Sequence, residues 1–355
     1  MADLIFITKN VINHFAQNIS YYLNKPFCLP TVVHFAPTLR CNLRCNYCDI
    51  WKEGKINNEL TTQQWKKFLK DLHCWLGKSH IGITGGEPLL RKDIIELLEY
   101  MIKLKLKVSL TTNGIFLNQE IIDKLSRINI FNINISLESI DPKIHDSLRG
   151  EGTFKKTFEN IIKLKQALNK NNSKTLLVIE TTLTSKNIRA TKELFDFCKR
   201  NKLKIHFGNV VEKLQVDYQG DFNGESEFKP TNVSKINETI SFLIMHKSDI
   251  IVNSTSELRM IRDYYLGKKI SFKCAANVRN LFVSSDGSVK LCQYMLSVGN
   301  INQKNVNKVW YSKKADNMRK TMKKCNKICQ FDCYKKRSLY ENYEMYKSMY
   351  RTRLK

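Results

Sequence analysis

The stretch Cys41-Asn42-Leu43-Arg44-Cys45-Asn46-Tyr47-Cys48 places three cysteines at CxxxCxxC spacing, directly after the apolar run 31–36. Three thiolates this close can hold three corners of a cubane [4Fe–4S] cluster, whose usual ligand number is four. The fourth iron is then free for a ligand that is not protein. Two plainer readings stay open: a zinc knuckle, or three unrelated buried thiols. Structural zinc asks for a fourth ligand, and the nearest candidate, His34, sits inside the apolar run.

From Thr31 onward, strand and helix signals alternate. Strand-like runs fall at 32–36, 80–84, 107–112, 131–137, 175–183 and 204–210. Helical patterns lie between them at 61–76, 92–105, 118–127, 153–169 and 187–201. Thr61-Thr62-Gln63-Gln64 is a capping-box signature and marks the first helix start. Six strands with intervening helices imply a parallel sheet with right-handed crossovers. Periodicity does not say whether such a sheet closes.

A second motif, Gly85-Gly86-Glu87-Pro88, ends the strand-like run His80-Ile81-Gly82-Ile83-Thr84. With CxxxCxxC, and with Tyr47 just before the last cysteine, it resembles the radical SAM superfamily over about 32–210. The resemblance implies an α/β fold built on a partial (β/α)6 TIM-like barrel. It implies that Cys41, Cys45 and Cys48 hold a [4Fe–4S] cluster whose open iron takes S-adenosylmethionine, cleaved on reduction to a 5′-deoxyadenosyl radical. Gly85 and Gly86, free of side chains, would meet the methionyl amine, with Glu87 fixing the loop that ends in Pro88. Ser136 and Arg149 match positions that contact the ribose and carboxylate, and Tyr47 would lie by the adenine. A cap and a surface ion pair are the plain readings of Ser136 and Arg149. Other residues at strand ends are Thr111 to Gly114, Ser136 to Ser139 and Glu180 to Thr184, where a barrel of this kind gathers its chemistry.

Past Val211 the alternation breaks. Residues 211–230 read as a loop over the barrel mouth, followed by helical stretches near 232–247 and 255–266. Asp286-Gly287 between alternating runs is a strong hairpin signal; the hairpin brings Cys292 back towards Cys274. One helix near 305–323 leads on to Cys325, Cys329 and Cys333. Cys274, twelve residues, Gly287, four residues, Cys292 resembles the opening of SPASM and twitch domains, which carry auxiliary iron–sulfur clusters. The closing CxxxCxxxC departs from the longer SPASM pattern. The expectation is therefore a small C-terminal cysteine-rich α+β domain with one auxiliary [4Fe–4S] cluster. Its ligands would be Cys274, Cys292 and two of Cys325, Cys329 and Cys333, with structural zinc as the alternative. Cys28, Cys74 and Cys198 lie outside any ligand spacing and read as packed thiols.

The domain reading is an N-terminal helical extension (1–30), the core (31–210), a loop and helical connection (211–270), the auxiliary domain (271–335) and a basic helical tail (336–355). In the extension, Val11, Ile12, Phe15, Ile19, Tyr22 and Leu23 form an apolar pattern expected to pack on the barrel; a membrane-surface role is the alternative, weakly supported because the segment carries few basic residues. Eight of the eleven cysteines stand at ligand spacings, which without a secretory signal favours a reducing cytoplasm and metal. No apolar run reaches the ~18 residues of a membrane span. The net charge of +26 would attract polyanions. Yet the lysines are scattered over many helices and no aromatic–basic module accompanies them, which argues against a nucleic-acid partner.

The functional expectation is an oxidoreductase or maturase acting on a peptide or small-molecule substrate, with a reducing electron donor such as flavodoxin or ferredoxin. The alternatives are a radical SAM enzyme that modifies nucleic acid, and an electron-transfer or binding iron–sulfur protein without radical chemistry. The GGEP motif argues against the last, since an electron carrier needs no cofactor pocket.

Overall fold

A computed structural model describes residues 2–53, 58–210, 227–268 and 274–325. Helix α1 (Ala2–Leu23) precedes strand β1 (Val32–Phe35) and the short α2 (Ile50–Glu53). Then follow α3 (Thr62–Leu76), β2 (His80–Ile83), α4 (Ile94–Lys103), β3 (Lys107–Thr112), α5 (Gln119–Ile128) and β4 (Asn132–Ser136). Next come α6 (Pro142–Arg149), α7 (Thr153–Lys170), β5 (Leu176–Leu183), α8 (Thr191–Arg200) and β6 (Lys204–Asn209). The chain continues through α9 (Val233–Met245), α10 (Thr255–Tyr265), α11 (Ala276–Arg279), β7 (Asn280–Val283) and β8 (Ser288–Lys290). It ends with β9 (Gly299–Asn300), α12 (Val306–Trp310) and α13 (Lys313–Lys323). Most of the expected loop 211–230 and all of the tail 336–355 lie outside the described residues, as do Cys329 and Cys333.

The strands form one sheet in the order β6-β5-β4-β3-β2-β1-β7-β8-β9. The first six run parallel and curve into a partial, unclosed barrel. Alternation explains which face is which. Phe35, Ile81, Ile83, Val108, Leu110, Ile133, Ile135 and Ile179 point to the helices and pack with Trp65, Leu69, Leu72, Leu97, Ile122 and Ile161. His34, Ser109, Asn132, Asn134, Glu180 and His206 alternate with them and face the other way. Parallel strands covered on both faces read as unbroken apolar runs; here the concave face is polar. The capping box at Thr61 is formed: Gln64 N–H donates to Thr61 Oγ1 at 3.3 Å, and Thr61 N–H donates to Gln64 Oε1 at 2.8 Å.

The C-terminal hairpin joins the barrel's own sheet. β7 pairs parallel with β1, Val33 beside Leu281 and Phe35 beside Val283, and β8 turns back antiparallel. The helix expected over 305–323 is two helices. The first ends at Trp310, and Ser312 caps the second by accepting from Ala315 N–H at 3.2 Å.

α1 corrects another expectation. Its inward face is largely polar, with Ala16 and Tyr21 packed against Cys28 and Val278: Asn13 and Gln17 donate to Leu29 O at 3.1 and 3.3 Å, and Ser20 Oγ accepts from Phe27 N–H at 2.8 Å. These bonds fix the returning chain before β1, so the apolar side chains turn outward rather than onto the barrel.

Candidate functional site

The cysteine loop is laid against the end of β2 by backbone alone. Gly86 N–H donates to Thr38 O at 3.0 Å and Glu87 N–H to Arg40 O at 2.8 Å. A Cβ on Gly86 would stand 2.0 Å from Arg40 O, and one on Gly85, whose φ is +109°, would stand 2.6 Å from Thr38 O. The space left by the missing side chains is thus filled by the loop that carries the thiols. Further along, Thr38 and Arg40 both bond Glu59, and Arg91 donates to Pro37 O and Leu60 O at 3.0 Å each.

Glu87 ties this edge to the next strand. Its carboxylate accepts from Thr112 Oγ1 and Asn113 N–H, both at 2.7 Å, and from Leu89 N–H at 3.0 Å. Burial pushes its pKa up and these donors oppose the rise. Asn113 Nδ2 then reaches Asn42 Oδ1, inside the cysteine loop, at 2.8 Å. Pro88 opens a single 3-10 turn behind it.

A second buried carboxylate, Glu138, lies in the strand-end run Ser136 to Ser139, where sequence reasoning assigned it no role of its own. Tyr47 Oη donates to it at 2.6 Å, Arg149 pairs with it at 2.7 Å, and Thr182 N–H donates at 2.9 Å. Asn187 Nδ2 holds the Glu138 carbonyl at 3.0 Å, and Glu138 N–H donates to His145 Nδ1 at 3.2 Å. Glu138 is fully buried and the Arg149 side chain only 12% exposed, so this is not a surface ion pair. Burial works against the Arg149 charge, yet Tyr47, Glu138 and Cys45 hold its pKa well above the ordinary value. Arg149 Nη1 lies 4.0 Å from Cys45 Sγ, and Asn46 N–H donates to Leu148 O at 3.0 Å. The loop is therefore pinned on one side to β2 and β3, and on the other to β4 and α6.

Burial pushes the Cys48 thiol up to about 11; an N–H bond at Ile50 opposes the rise, while Cys45 and Cys41 add to it. Three mutually interacting thiols with a guanidinium beside them, and no fourth protein ligand among the described residues, suit an anionic cluster with one open iron. Among the described residues no three His, Cys, Asp or Glu side chains converge to hold a single metal ion. His34 is turned away, its ring over Gly82 on the concave face, and burial lowers its pKa to about 4.

Ser136, buried at the end of β4, stands beside Glu180 in the sheet register. Glu180 accepts from His206 Nδ1 at 2.6 Å. Below them the concave face carries a hydrogen-bonded row: His80 to Ser109 at 2.6 Å, Ser109 to Asn132, Asn132 to Asn134 at 2.7 Å, and Asn134 to Thr111 at 3.3 Å.

The second thiol group is assembled from Cys274 ahead of α11, Cys292 after β8 and Cys325 after α13. Burial pushes Cys292 up to about 12; Tyr294 N–H opposes, and Cys274 and Cys325 raise it further. Gly287, at φ +84°, makes the Asp286-Gly287 turn that returns the chain. Asn277, on α11 after Cys274, is buried with both amide atoms unbonded, as suits a helix that borders a further ligand. Of the remaining thiols, Cys28 and Cys198 are buried as expected, whereas Cys74 is exposed on the solvent side of α3.

Comparison with known proteins accords with this layout. The radical SAM superfamily model matches residues 35–195, and the SPASM model, an iron–sulfur cluster-binding domain, matches 274–334. The chain is 27% identical over 300 residues to an AdoMet-dependent heme synthase of Methanosarcina barkeri, covering 79% of this chain and 82% of that one. It is 31% identical over 163 residues to a probable GTP 3′,8-cyclase of Methanocaldococcus jannaschii, 46% of this chain and about half (53%) of the relative. Among solved structures, Streptococcus suis SuiB bound to its precursor peptide SuiA superposes with a TM-score of 0.66 at 19% identity, covering 92% of this chain and 73% of SuiB. With a core that takes S-adenosylmethionine and a [4Fe–4S] cluster, this chain carries a radical SAM domain followed by a SPASM domain for auxiliary iron–sulfur binding.

Proposed function

We propose that the chain is an oxidoreductase or maturase that acts on a peptide or small-molecule substrate held on the concave face of its open barrel. The observation that carries this reading is the polar row on that face, topped by Ser136, Glu180 and His206 at the end where the cysteine loop docks. When bound, the cluster and S-adenosylmethionine supply a hydrogen-abstracting radical.

The chain's own residues do the rest. Cys41, Cys45 and Cys48 hold the cluster, the edge Gly85–Pro88 and Ser136 border the cofactor, and Arg149 sets a positive charge beside the thiolates. Tyr47 and Arg149 are oriented by the Glu138 carboxylate, so neither has to reorganise when the cofactor arrives. Glu180 orients the His206 ring, and the row from His80 to Thr111 offers donors and acceptors to a polar substrate. Cys274, Cys292 and two of Cys325, Cys329 and Cys333 would hold one auxiliary cluster, which would take an electron from the substrate or bind it. A flavodoxin or ferredoxin would reduce the system. Relatives acting on substrates as different as a heme precursor, GTP and a peptide leave the choice to this face.

Deuterium transfer tests the substrate class. Reduced, reconstituted protein is incubated with S-adenosylmethionine and with peptide, metabolite or RNA fractions of perdeuterated cells. Deuterium in 5′-deoxyadenosine from the peptide or metabolite fraction supports the reading. Deuterium from RNA alone would replace it with nucleic-acid modification.

A further inference from the structure

α1 is amphipathic in the inverted sense. Successive residues turn by about 100° around a helix, which gathers Val11, Ile12, Phe15, Ile19, Tyr22 and Leu23 on one face. That face is exposed: Ile12 is 63% and Leu23 58% accessible, and Phe27 just beyond is 60%. The opposite face holds Asn13, Gln17 and Ser20, already bonded to residues 27–31. Ala16 and Tyr21 also pack inward, yet the six apolar side chains of the outward face contribute nothing unless something outside covers them.

Charge says what. From Leu4 to Cys48 the sequence contains no Asp or Glu. Exposed Lys25 follows α1, and the end of α13 brings exposed Lys320, Lys323 and Lys324 beside its C-terminal turn. There Lys323 Nζ donates to Tyr22 O at 3.0 Å and lies 5.9 Å from the Tyr21 ring. These lysines are some 300 residues away in sequence, so α1 alone shows few basic residues and its cationic rim emerges only on folding. A net charge of +26 works against pairing with a second copy of the chain.

We infer that the outward face of α1 lies on an anionic lipid bilayer, its apolar side chains in the interface and the lysine rim over the headgroups. Helices with an apolar face flanked by cations bind such surfaces in plane. The helix does not cross the bilayer, and among the described residues no helix is long and apolar enough to do so.

Flotation of the reconstituted full chain with vesicles tests this. Binding should be seen with phosphatidylcholine–phosphatidylglycerol and be much weaker with phosphatidylcholine alone. Phe15→Asp with Ile19→Asp should cut binding by roughly tenfold or more, with iron content and melting temperature unchanged, because both side chains are exposed. Lys155→Gln with Lys170→Gln, on exposed positions of α7, changes the net charge equally and should retain binding. Absence of binding, equal loss in both double variants, or equal binding to neutral vesicles would overturn the proposal. So would a wild-type dimer in sedimentation that the α1 variant alone dissociates, which would give the face to a second copy.

Discussion

Cys41, Cys45 and Cys48 lie on one loop, whereas Cys274, Cys292 and Cys325 are drawn from a helix start, a strand end and a helix end. The first group is local in sequence but depends on distant carboxylates for its shape. Glu138 bonds Tyr47 of the loop directly, and Glu87 acts from the opposite side through Asn113, which its carboxylate holds and which bonds Asn42. The second group is spread in sequence and depends on topology: β7 must pair with β1 and the Gly287 turn must close. A compact motif thus states what it binds and hides how it is held. A dispersed one shows its turn and hides its place in the sheet.

The clamp gives the largest expected effect. Glu138→Ala leaves Arg149 charged and buried, which costs about 3–5 kcal/mol when one partner of such a pair is removed. Denaturant unfolding should show that loss, and iron should fall towards the content of the C-terminal site alone. A wild-type midpoint with full iron would remove Glu138 from the account.

Glycine substitutions separate the two regions. Gly86→Ala drives a Cβ into the Arg40 carbonyl, and Gly287→Val opposes a positive φ with Asn300 Oδ1 2.8 Å from the new carbon. Each should cost about 1–3 kcal/mol, the first reducing iron at the N-terminal site and the second at the C-terminal one. Iron lost equally from both sites in either variant would mean that the regions are not separate.

A smaller effect comes from His145, fully buried, whose pKa is lowered to about 4 by burial and then by Arg149. Its Nδ1 accepts from Glu138 N–H, so the ring is neutral with the proton on Nε2. Between pH 6.5 and 4 the unfolded chain takes up a proton that the folded chain refuses. This contribution is therefore present above about pH 6.5 and is lost as pH falls, with a slope of at most about 1.4 kcal/mol per pH unit. Urea midpoints at pH 7 and 5.5 should converge in His145→Gln relative to wild type; an unchanged difference would exclude the histidine. The smallest effect is expected at Cys28 and Cys198, where Ser should leave the iron content unchanged.

Much of the fold was legible because each strand announces itself as a run between helical patterns, and the first barrel helix carries a capping box at Thr61. The six barrel strands fall within a residue or two of the runs that announced them. What stayed hidden depends on partners far along the chain. Nothing local marks the β7–β1 pairing of residues some 250 positions apart. Glu138 gathers Tyr47, Arg149 and Asn187 from three other segments, and its one trace is a carboxylate closing an apolar strand. The α1 pattern was real, but the assumption that an apolar face must turn inward failed because Asn13, Gln17 and Ser20 were needed to fix the chain entering β1. Ser312, a cap residue inside a helical pattern, was the available sign that 305–323 would break.

The central claim is that the loop Cys41–Cys48 holds the cluster at which S-adenosylmethionine is cleaved, while the C-terminal thiols serve a later step. Quantifying 5′-deoxyadenosine and iron together in wild type, Cys45→Ala and Cys292→Ala tests it most directly. The account predicts 5′-deoxyadenosine with about eight irons in wild type, and none with about four in Cys45→Ala. Cys292→Ala should retain part of the cleavage activity. Undiminished 5′-deoxyadenosine from Cys45→Ala would contradict it.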